Sequence, residues 1–354
     1  MDIVLEGFDT FLFDPIYASL FPLAQTPSPY GFLGNNASAL AGTVKDIPAL
    51  QHNRWEYKPA SQYLSFTPSD AAYQTSWPRD DPRRQFLSLF AITWVFGAVL
   101  YFAFASLSYV FVFDKATFNH PKYLKNQIRL EIWQTLQSLP GMALLTAVAF
   151  WFEVRGYSKM YDTTAEGPGM WYNVLQFPIF LLFTDFFIYW IHRGLHHPLV
   201  YKHLHKPHHK WIMPTPFASH AFHPLDGFAQ SIPYHVFPFV LPLQKFAYIA
   251  LFVFINIWTI MIHDGEYIAN SPVINGAACH TMHHLYFNYN YGQFTTLSDR
   301  LFGSYRKPNE ELFQKEKKMS KEEWSRQSKE MEKMVLEVEG EDDRSYLPED
   351  KKKQ

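Results

Sequence analysis

The chain has 354 residues, of which 18% are aromatic and 18% are charged, and its formal net charge is −2. Nucleic-acid binding needs a concentrated basic patch, so this charge balance predicts no nucleic-acid partner. The single cysteine, Cys279, excludes an intramolecular disulfide and a metal site made of several thiolates. The start of the chain lacks the basic region and continuous apolar core of a cleaved signal peptide, so membrane insertion must rest on internal segments.

The two ends of the chain are polar. Residues 1–84 are rich in Pro, Ser, Asp and Asn, which predicts a loop-rich N-terminal segment outside a membrane. It contains a glycosylation triplet at Asn36, a pattern that is frequent by chance. Residues 307–354 are dominated by Lys and Glu and predict a charged, solvated, partly helical tail. The final KKKQ fits a dilysine retrieval signal for the endoplasmic reticulum, or equally an ordinary charged end.

Apolar stretches between these ends predict membrane helices, because about 20 apolar residues span the hydrocarbon core. Three lie at about 86–113, 132–153 and 171–191, and the third is interrupted only by Asp185. The stretch 232–262 is too short for two full crossings and predicts a tight or re-entrant hairpin. The pattern predicts an all-α, multi-pass helical bundle.

Fourteen of the 16 histidines fall between residues 192 and 284, and eight of them form boxes with the spacings HxxxH, HxxHH and HxxHH. Positions i, i+3 and i+4 share one face of a helix, so each box can direct two or three imidazoles at one point. A single histidine is more often a packed or surface residue, but regular boxes at the ends of membrane segments indicate a metal site. The boxes are His192 and His196; His205, His208 and His209; and His280, His283 and His284.

The sequence predicts the ligands of the site but does not select the metal. Imidazole suits zinc, copper, iron and nickel. Between the first and last box histidines the acidic residues are Asp226, Asp264 and Glu266, whereas a ferritin-like di-metal centre needs four Glu and paired Glu-x-x-His motifs. A dinuclear site in this chain must therefore be built almost entirely of histidine.

The boxes resemble those of the membrane fatty acid hydroxylase superfamily, which holds a histidine-rich di-iron centre. Three longer strings resemble the sterol C-5 desaturases of fungi and animals: HKPHHKWIMPTPFASHAFHPLDG, INIWTIMIHDGEY and NGAACHTMHHLYFNYNYGQFTTLSDRLFGSYRKP. The resemblance covers roughly residues 85–310. It implies a catalytic domain at 85–306, in which a helical membrane bundle carries a di-iron cap that faces the cytosol.

The resemblance implies that the eight box histidines bind the metal, and it adds His263, at the end of an apolar helix, as a ninth ligand. His220 and His223 are either further ligands or part of the sterol pocket. The histidines outside the box spacing are predicted not to be ligands: His197, His203 and His235.

Asp185 lies at membrane depth, where an ionisable side chain is costly and tends to be functional. It precedes His192 by seven residues and His196 by eleven, so the three share one helical face. Metal-bound histidine usually donates its second ring N–H to a carboxylate or carbonyl. Asp185 is therefore predicted to accept that hydrogen bond from a ligand; the alternative is a polar contact between helices.

The resemblance also implies the reaction, in which O₂ and two electrons remove hydrogens from C-5 and C-6 of a Δ7 sterol in ergosterol or other sterol biosynthesis. The resemblance implies two iron ions for this reaction, and zinc is unsuited to it because zinc has no redox chemistry. The electrons are expected from NAD(P)H through cytochrome b5 and its reductase. Basic residues near the boxes either guide docking of the acidic cytochrome or only mark the cytosolic side: Arg193, Lys202, Lys206, Lys210, Arg300, Arg306 and Lys307.

The orientation follows from the boxes and the tail. The boxes must converge, so the chain between the second and third box is expected to return to the same face of the membrane. A dilysine signal acts in the cytosol, so the iron site is expected to face the cytosol from the endoplasmic reticulum membrane. Basic residues between the first two helices favour a lumenal N-terminal segment, whereas Arg79, Arg83 and Arg84 favour the opposite side.

Three other interpretations remain open. The nearest is another enzyme of the same superfamily, a sterol C-4 methyl oxidase or a fatty acid hydroxylase, which the first of the three strings disfavours. A His-rich zinc transporter would place ligands within several membrane helices and often shows inverted repeats, and this sequence has no repeat. A structural or receptor protein would leave the histidine spacing unexplained.

Overall fold

A computed structural model of the protein describes residues 1–23, 52–268 and 270–346. Its described elements are almost all helices, which confirms the predicted all-α class. The chain divides into two compact units, Met1–Ile92 and Thr93–Gln354.

Two sequence features fall outside the described residues. They are the glycosylation triplet at Asn36 and the terminal KKKQ. Both stay predictions.

The longer helices are α1 (Pro82–Phe111), α2 (Gln127–Val154), α3 (Tyr172–Leu195), α4 (Pro224–Val240), α5 (Lys245–Ile262), α6 (Ala277–Tyr286) and α7 (Lys321–Glu339). Shorter helical segments are Asp2–Phe8, Asp9–Phe13, Asp14–Leu20, Asp70–Tyr73, Lys115–Asn119, Pro198–Val200, Tyr201–His205, Lys206–His209, Pro216–His220, Leu297–Leu301, Glu310–Phe313 and Lys315–Lys318. The strands Met160–Tyr161 and Leu243–Gln244 pair in parallel.

Helices α1, α2, α3 and α5 are long and apolar enough to cross a membrane, so the chain is a multi-pass membrane protein. Large apolar side chains such as Val95, Val99 and Leu182 are exposed on these helices. Such exposure is costly in water but is what a lipid-facing surface requires.

Part of the segment predicted to be loop-rich is helical, because residues 2–20 form helices, whereas the described residues 52–81 are mostly loop apart from Asp70–Tyr73. Buried ion pairs hold the first unit together. Arg84 contacts Asp9 at 2.8 Å and Asp14 at 2.6 Å, and Arg79 contacts Asp14 at 2.5 Å. Because carboxylates balance the charges of Arg79 and Arg84, these arginines are weaker markers of membrane orientation than their position in the sequence suggests.

The region of the predicted hairpin at 232–262 forms helices α4 and α5. Helix α4 begins at Pro224, eight residues before the predicted start, because proline is well suited to the first position of a helix. Gly141 lets α2 approach this point closely, since a Cβ there would lie 2.9 Å from Cβ of Pro224. His235 on α4 lies 3.4 Å from the Tyr248 hydroxyl on α5.

The charged tail is helical as predicted, but it is not simply solvated. Helix α7 carries apolar residues at i, i+3, i+4 and i+7, the spacing of one buried face. Two of them, Met331 and Val335, are fully buried against Met282 and Leu285 of α6. Burial of such side chains stabilises by about 1.5–3 kcal/mol each. The high Lys and Glu content describes only the opposite face of α7.

Candidate metal centre

The three histidine boxes come from separate helical elements. His192 lies in the last turn of α3, and His196 caps the end of that helix. The second box spans the consecutive segments Tyr201–His205 and Lys206–His209, and the third box lies in α6. All eight box histidines are buried.

The structure brings the nine predicted ligands together in two groups. Within each group, one ring nitrogen from every member lies within 4.8 Å of the others. The groups are adjacent, because the ring centroids of His209 and His284 lie 5.0 Å apart. The first group is His192, His196, His205, His209 and His283, and the second is His208, His263, His280 and His284.

Five other histidines of this region lie outside both groups. His197 and His223 accept hydrogen bonds from the backbone of the helices that follow them. His203 is exposed, His235 is buried, and His220 lines a cavity described below.

Four of the nine grouped histidines donate their Nδ1–H to a carbonyl or carboxylate oxygen outside the group, and such an oxygen can only accept. In a neutral imidazole the other nitrogen, Nε2, then carries a lone pair, which here points into the group. Outward bonds of this kind orient metal-bound histidines. The pairs are His192 with the Tyr291 carbonyl (3.0 Å), His205 with the Asp226 carboxylate (2.8 Å), His263 with the Thr259 carbonyl (2.6 Å) and His283 with the Tyr289 carbonyl (2.8 Å).

The inward nitrogens are spaced as ligands of one ion would be. Nε2 of His192 lies 3.2 Å from Nε2 of His205, and both rings have placed their proton on Nδ1, so two lone pairs oppose each other. A cation removes that repulsion. Imidazole nitrogens bind zinc at about 2.0–2.1 Å, so neighbouring nitrogens in an octahedral or tetrahedral shell are about 2.8–3.4 Å apart. The donor set therefore fits bound metal ions.

Burial keeps these histidines in the neutral form that binds metals. It lowers the pKa of His263 and of His283 to about 3. Burial and the neighbouring histidines also hold the pKa values of His208, His209 and His284 well below the ordinary value. Each ring thus presents a lone pair without first losing a proton.

Asp226 is the carboxylate that supports a grouped histidine directly. Besides the His205 N–H, it accepts a hydrogen bond from Nε2 of Gln230 at 2.8 Å, and Asp226 is fully buried. This contact links α4 to the second box. It fixes both the tautomer and the orientation of His205.

The prediction that Asp185 bonds a ligand histidine is wrong for the part of the chain that is described. Its carboxylate accepts the amides of Gln293 (2.9 Å) and Phe294 (2.7 Å) and the hydroxyl of Thr295 (2.5 Å). The carbonyl that receives the N–H of His192 lies just before this loop. Asp185 therefore supports His192 indirectly: it holds the backbone of residues 293–295, and the carbonyl of Tyr291 just before them contacts His192.

The C-terminal residues also reach the second box. Arg344 pairs with Glu339 through two contacts, of 2.6 and 3.1 Å, and donates to the carbonyl of His209 at 3.0 Å. Glu339 also accepts from the Tyr201 hydroxyl at 2.9 Å. Arg344 and Glu339 are both buried. The tail therefore helps to position the backbone that carries His209.

A cavity of about 720 Å³, including its open mouth, adjoins the second group. His192, His208, His263 and His280 line one end of it. Much of the remaining wall is apolar, from Met142, Ile188, Phe222, Ile255 and Ile262. An apolar molecule in this cavity would lie beside the grouped histidines.

The basic residues named as docking candidates differ in their surroundings. Lys202 and Lys210 line, with Lys125, an open groove beside the second box, of about 1150 Å³ including the solvent at its mouth. Lys206 pairs with Glu339 and Asp343. The others bond within the chain: Arg193 to the Tyr189 hydroxyl, Arg300 to the Pro272 carbonyl, Arg306 to Glu330 and Lys307 to Glu310.

Sequence reasoning missed the roles of Asp226, Gln230 and Arg344. Asp226 could have been found, because it is one of three acidic residues between the first and last box histidines. Gln230 follows it by one helical turn, which is contact distance on a helix. Arg344 offers no such signal, since nothing near it in the sequence marks it among the other charges of the tail.

Comparison with known proteins agrees with this site. The family model "Fatty acid hydroxylase" matches residues 177–304, which include all nine grouped histidines. Three fungal relatives match along nearly their whole length. A Delta(7)-sterol 5(6)-desaturase of Leptosphaeria maculans is 64% identical over 100% of both chains. A probable Delta(7)-sterol 5(6)-desaturase of Neurospora crassa is 64% identical over 100% of this chain and 99% of its own. That of Saccharomyces cerevisiae is 48% identical over 98% of this chain and 97% of its own.

No solved structure matches the chain. Identities of 48–64% over nearly complete lengths are nevertheless sufficient to place it, and the histidine groups lie where the family model matches. The chain belongs to the Delta(7)-sterol 5(6)-desaturase family.

Proposed function

We propose that the protein is a sterol C-5 desaturase of ergosterol biosynthesis. It converts the single bond between C-5 and C-6 of a Δ7 sterol into a double bond, and O₂ takes up the two hydrogens, two electrons and two further protons to give two waters. The observation that carries this proposal is the pair of all-histidine groups beside a partly apolar cavity in a membrane protein. Relatives named as Delta(7)-sterol 5(6)-desaturases support the same substrate class.

We further propose that each histidine group holds one iron ion. The opposed lone pairs of His192 and His205 support a cation at this place. Zinc would satisfy the same nitrogens, but it has no redox chemistry. When bound, the iron ions would supply the reduction of O₂ and the removal of hydrogen from unactivated C–H bonds. The chain holds the ions, orients the sterol and keeps water away from them.

Named residues perform those tasks. The nine grouped histidines present neutral nitrogens, and Asp226 and the carbonyls of Thr259, Tyr289 and Tyr291 hold four of the rings in place. With a sterol bound, the apolar side chains of the cavity wall, such as Ile188 and Ile262, would limit the access of water to the histidines. Exclusion of water favours desaturation over side reactions.

We propose that cytochrome b5, reduced by NAD(P)H through its reductase, docks at the groove of Lys125, Lys202 and Lys210. This groove lies beside the second box and is basic, so it complements an acidic protein. Reversal of these three charges should slow cytochrome-dependent turnover at low ionic strength. Lys333→Glu, on the exposed face of α7, is the matched control and should leave the rate unchanged. Equal rates in all variants would contradict docking at this groove.

We propose that the protein resides in the endoplasmic reticulum membrane with the histidine groups facing the cytosol. Lys125, just before α2, supports this orientation, because basic residues favour the cytosolic end of a membrane helix. The native Cys279 is buried, so single cysteines can be introduced as probes. An impermeant maleimide should label Lys202→Cys in sealed microsomes and Met170→Cys only after detergent. The reverse pattern would contradict the orientation.

An assay with a Δ7 sterol, NADH and microsomes tests the function. We expect an O₂-dependent rise in the ultraviolet absorbance of a conjugated 5,7-diene, and two irons per chain in the purified protein. His205→Ala is the inactive control, because it removes one inward nitrogen. Oxidation of a C-4 methyl group, a hydroxylated product or zinc in place of iron would each reject the assignment.

A further inference from the structure

The cavity carries polar groups at two depths along α5. Thr259 lies four residues before His263 and accepts a hydrogen bond from Nε2 of Gln293 at 3.2 Å. Asn256 lies seven residues before His263, and its Oδ1 lies 3.2 Å from Nε2 of His220. A helix rises about 1.5 Å per residue, so these groups are about 6 and 10 Å along the helix from His263. All five residues line the cavity.

The His220–Asn256 pair can bind a further hydroxyl. His220 Nδ1 accepts from the Ser219 hydroxyl at 3.0 Å, and burial lowers the pKa of the ring, so the neutral ring donates from Nε2 to Asn256. One hydrogen of Asn256 Nδ2 goes to the Phe252 carbonyl at 2.7 Å. Within the described chain, the other N–H of this amide and the second lone pair of its oxygen are available. A hydroxyl could therefore both donate to and accept from it.

The chemistry of the substrate limits where its own hydroxyl can lie. The oxygen on C-3 of a sterol is four bonds from C-6, and carbon–carbon bonds near 1.5 Å place it within about 6 Å of the carbons that react. The hydroxyl must therefore meet a polar group within one or two helical turns of the histidines. The Thr259 hydroxyl already donates its proton to the Ile255 carbonyl at 2.9 Å and accepts from Gln293, so it can only accept from a further hydroxyl, whereas the Asn256 amide can both donate and accept.

We propose that the sterol enters the cavity with ring A first, and that the Asn256 amide, held in place by His220, binds its C-3 hydroxyl. This proposal rests on the proposed function as a desaturase of Δ7 sterols. It makes Asn256 a specificity-determining residue and His220 a positioning residue. It also assigns His220 a role other than metal ligation.

The test compares a Δ7 sterol with its 3-deoxy analogue, which has the same rings and side chain. Two quantities are measured for each compound: kcat/KM, and equilibrium binding without an electron donor. The 3-deoxy analogue would leave the buried Asn256 amide without a hydrogen-bond partner, which costs binding free energy. The wild type should therefore prefer the hydroxy sterol by about 10- to 100-fold in both quantities. In Asn256→Leu this ratio should fall to near one, with the 3-deoxy analogue bound as well as by the wild type.

Two further variants make the test decisive. His220→Phe keeps an aromatic ring at this position but removes the hydrogen bond to Asn256, so it should lower the ratio partly. Gln293→Leu changes the other polar pair and should keep the ratio. The proposal is overturned by an unchanged ratio in Asn256→Leu, by a collapsed ratio in Gln293→Leu, or by equal losses for both compounds in both Asn256→Leu and His220→Phe. A wild type that desaturates neither compound would reject the proposed function, whereas the binding ratio would still test the hydroxyl site.

Discussion

Removal of the Asp226 carboxylate should weaken metal binding at the first histidine group. Asp226 and His205 are both fully buried, and the carboxylate fixes the proton of His205 on Nδ1. A hydrogen bond to a charged group contributes about 1.5–3 kcal/mol, and one between neutral groups about 0.5–1.5 kcal/mol. Asp226→Asn keeps a neutral acceptor and should therefore lose about 1–2 kcal/mol, or about 5- to 30-fold in metal affinity. Asp226→Leu leaves the His205 N–H unpaired and should lose about 10- to 100-fold.

Competition with a chelator, followed by metal analysis of the purified protein, measures these affinities. Asp114→Asn is the matched control, because Asp114 caps a backbone N–H in the segment Lys115–Asn119 and touches no grouped histidine. The order wild type, then Asn, then Leu at position 226 is the expected result. Equal affinity in Asp226→Leu and the Asp114→Asn control would refute the reasoning that the carboxylate orients His205.

Three further predictions follow from the contacts around the histidine groups. Asp185→Leu should leave the amides of residues 293 and 294 unpaired, and this loss should lower turnover while the iron content stays near two per chain. Loss of iron in proportion to activity would instead indicate that Asp185 supports a ligand directly. Arg344→Ala should lower the unfolding free energy by up to about 3 kcal/mol, because buried Glu339 would lose its two contacts with Arg344 and keep only Lys206 and the Tyr201 hydroxyl. The double variant Arg344→Met/Glu339→Gln should recover most of this loss in a thermal unfolding assay, and no recovery would contradict the pairing. Acid should destabilise the metal-free protein, because burial lowers the pKa of His283 to about 3 in the folded state, whereas it is near 6.5 in the unfolded state. The contribution of this ring to the unfolding free energy is therefore complete above about pH 6.5 and falls as the pH drops towards 3. A denaturant midpoint that does not change over this range would contradict burial of the neutral ring.

The elements predicted correctly are those whose signal is local. About 20 apolar residues in succession predict a membrane helix whatever surrounds them, and the structure has suitable helices near all three predicted single spans. The box spacing is likewise a property of one helical turn. The incorrect predictions were based on the average composition of a segment, which hides the difference between the two faces of a helix. Helix α7 looked like a solvated tail because its buried stripe, with Met331 and Val335, is diluted by Lys and Glu.

The sequence by itself determined that this is an all-α membrane protein, that its histidines lie in three boxes of helical spacing, and that acidic residues are too scarce there for a carboxylate-rich centre. Tertiary structure alone decided how nine histidines divide between two groups and which distant residues contact these histidines. His205 meets Asp226 across 21 positions, His192 meets the Tyr291 carbonyl across 99, and His209 meets Arg344 across 135. Local periodicity reports which side of its own helix a residue occupies. It carries no information about which distant segment packs against that side, because this depends on the burial of the whole chain at once.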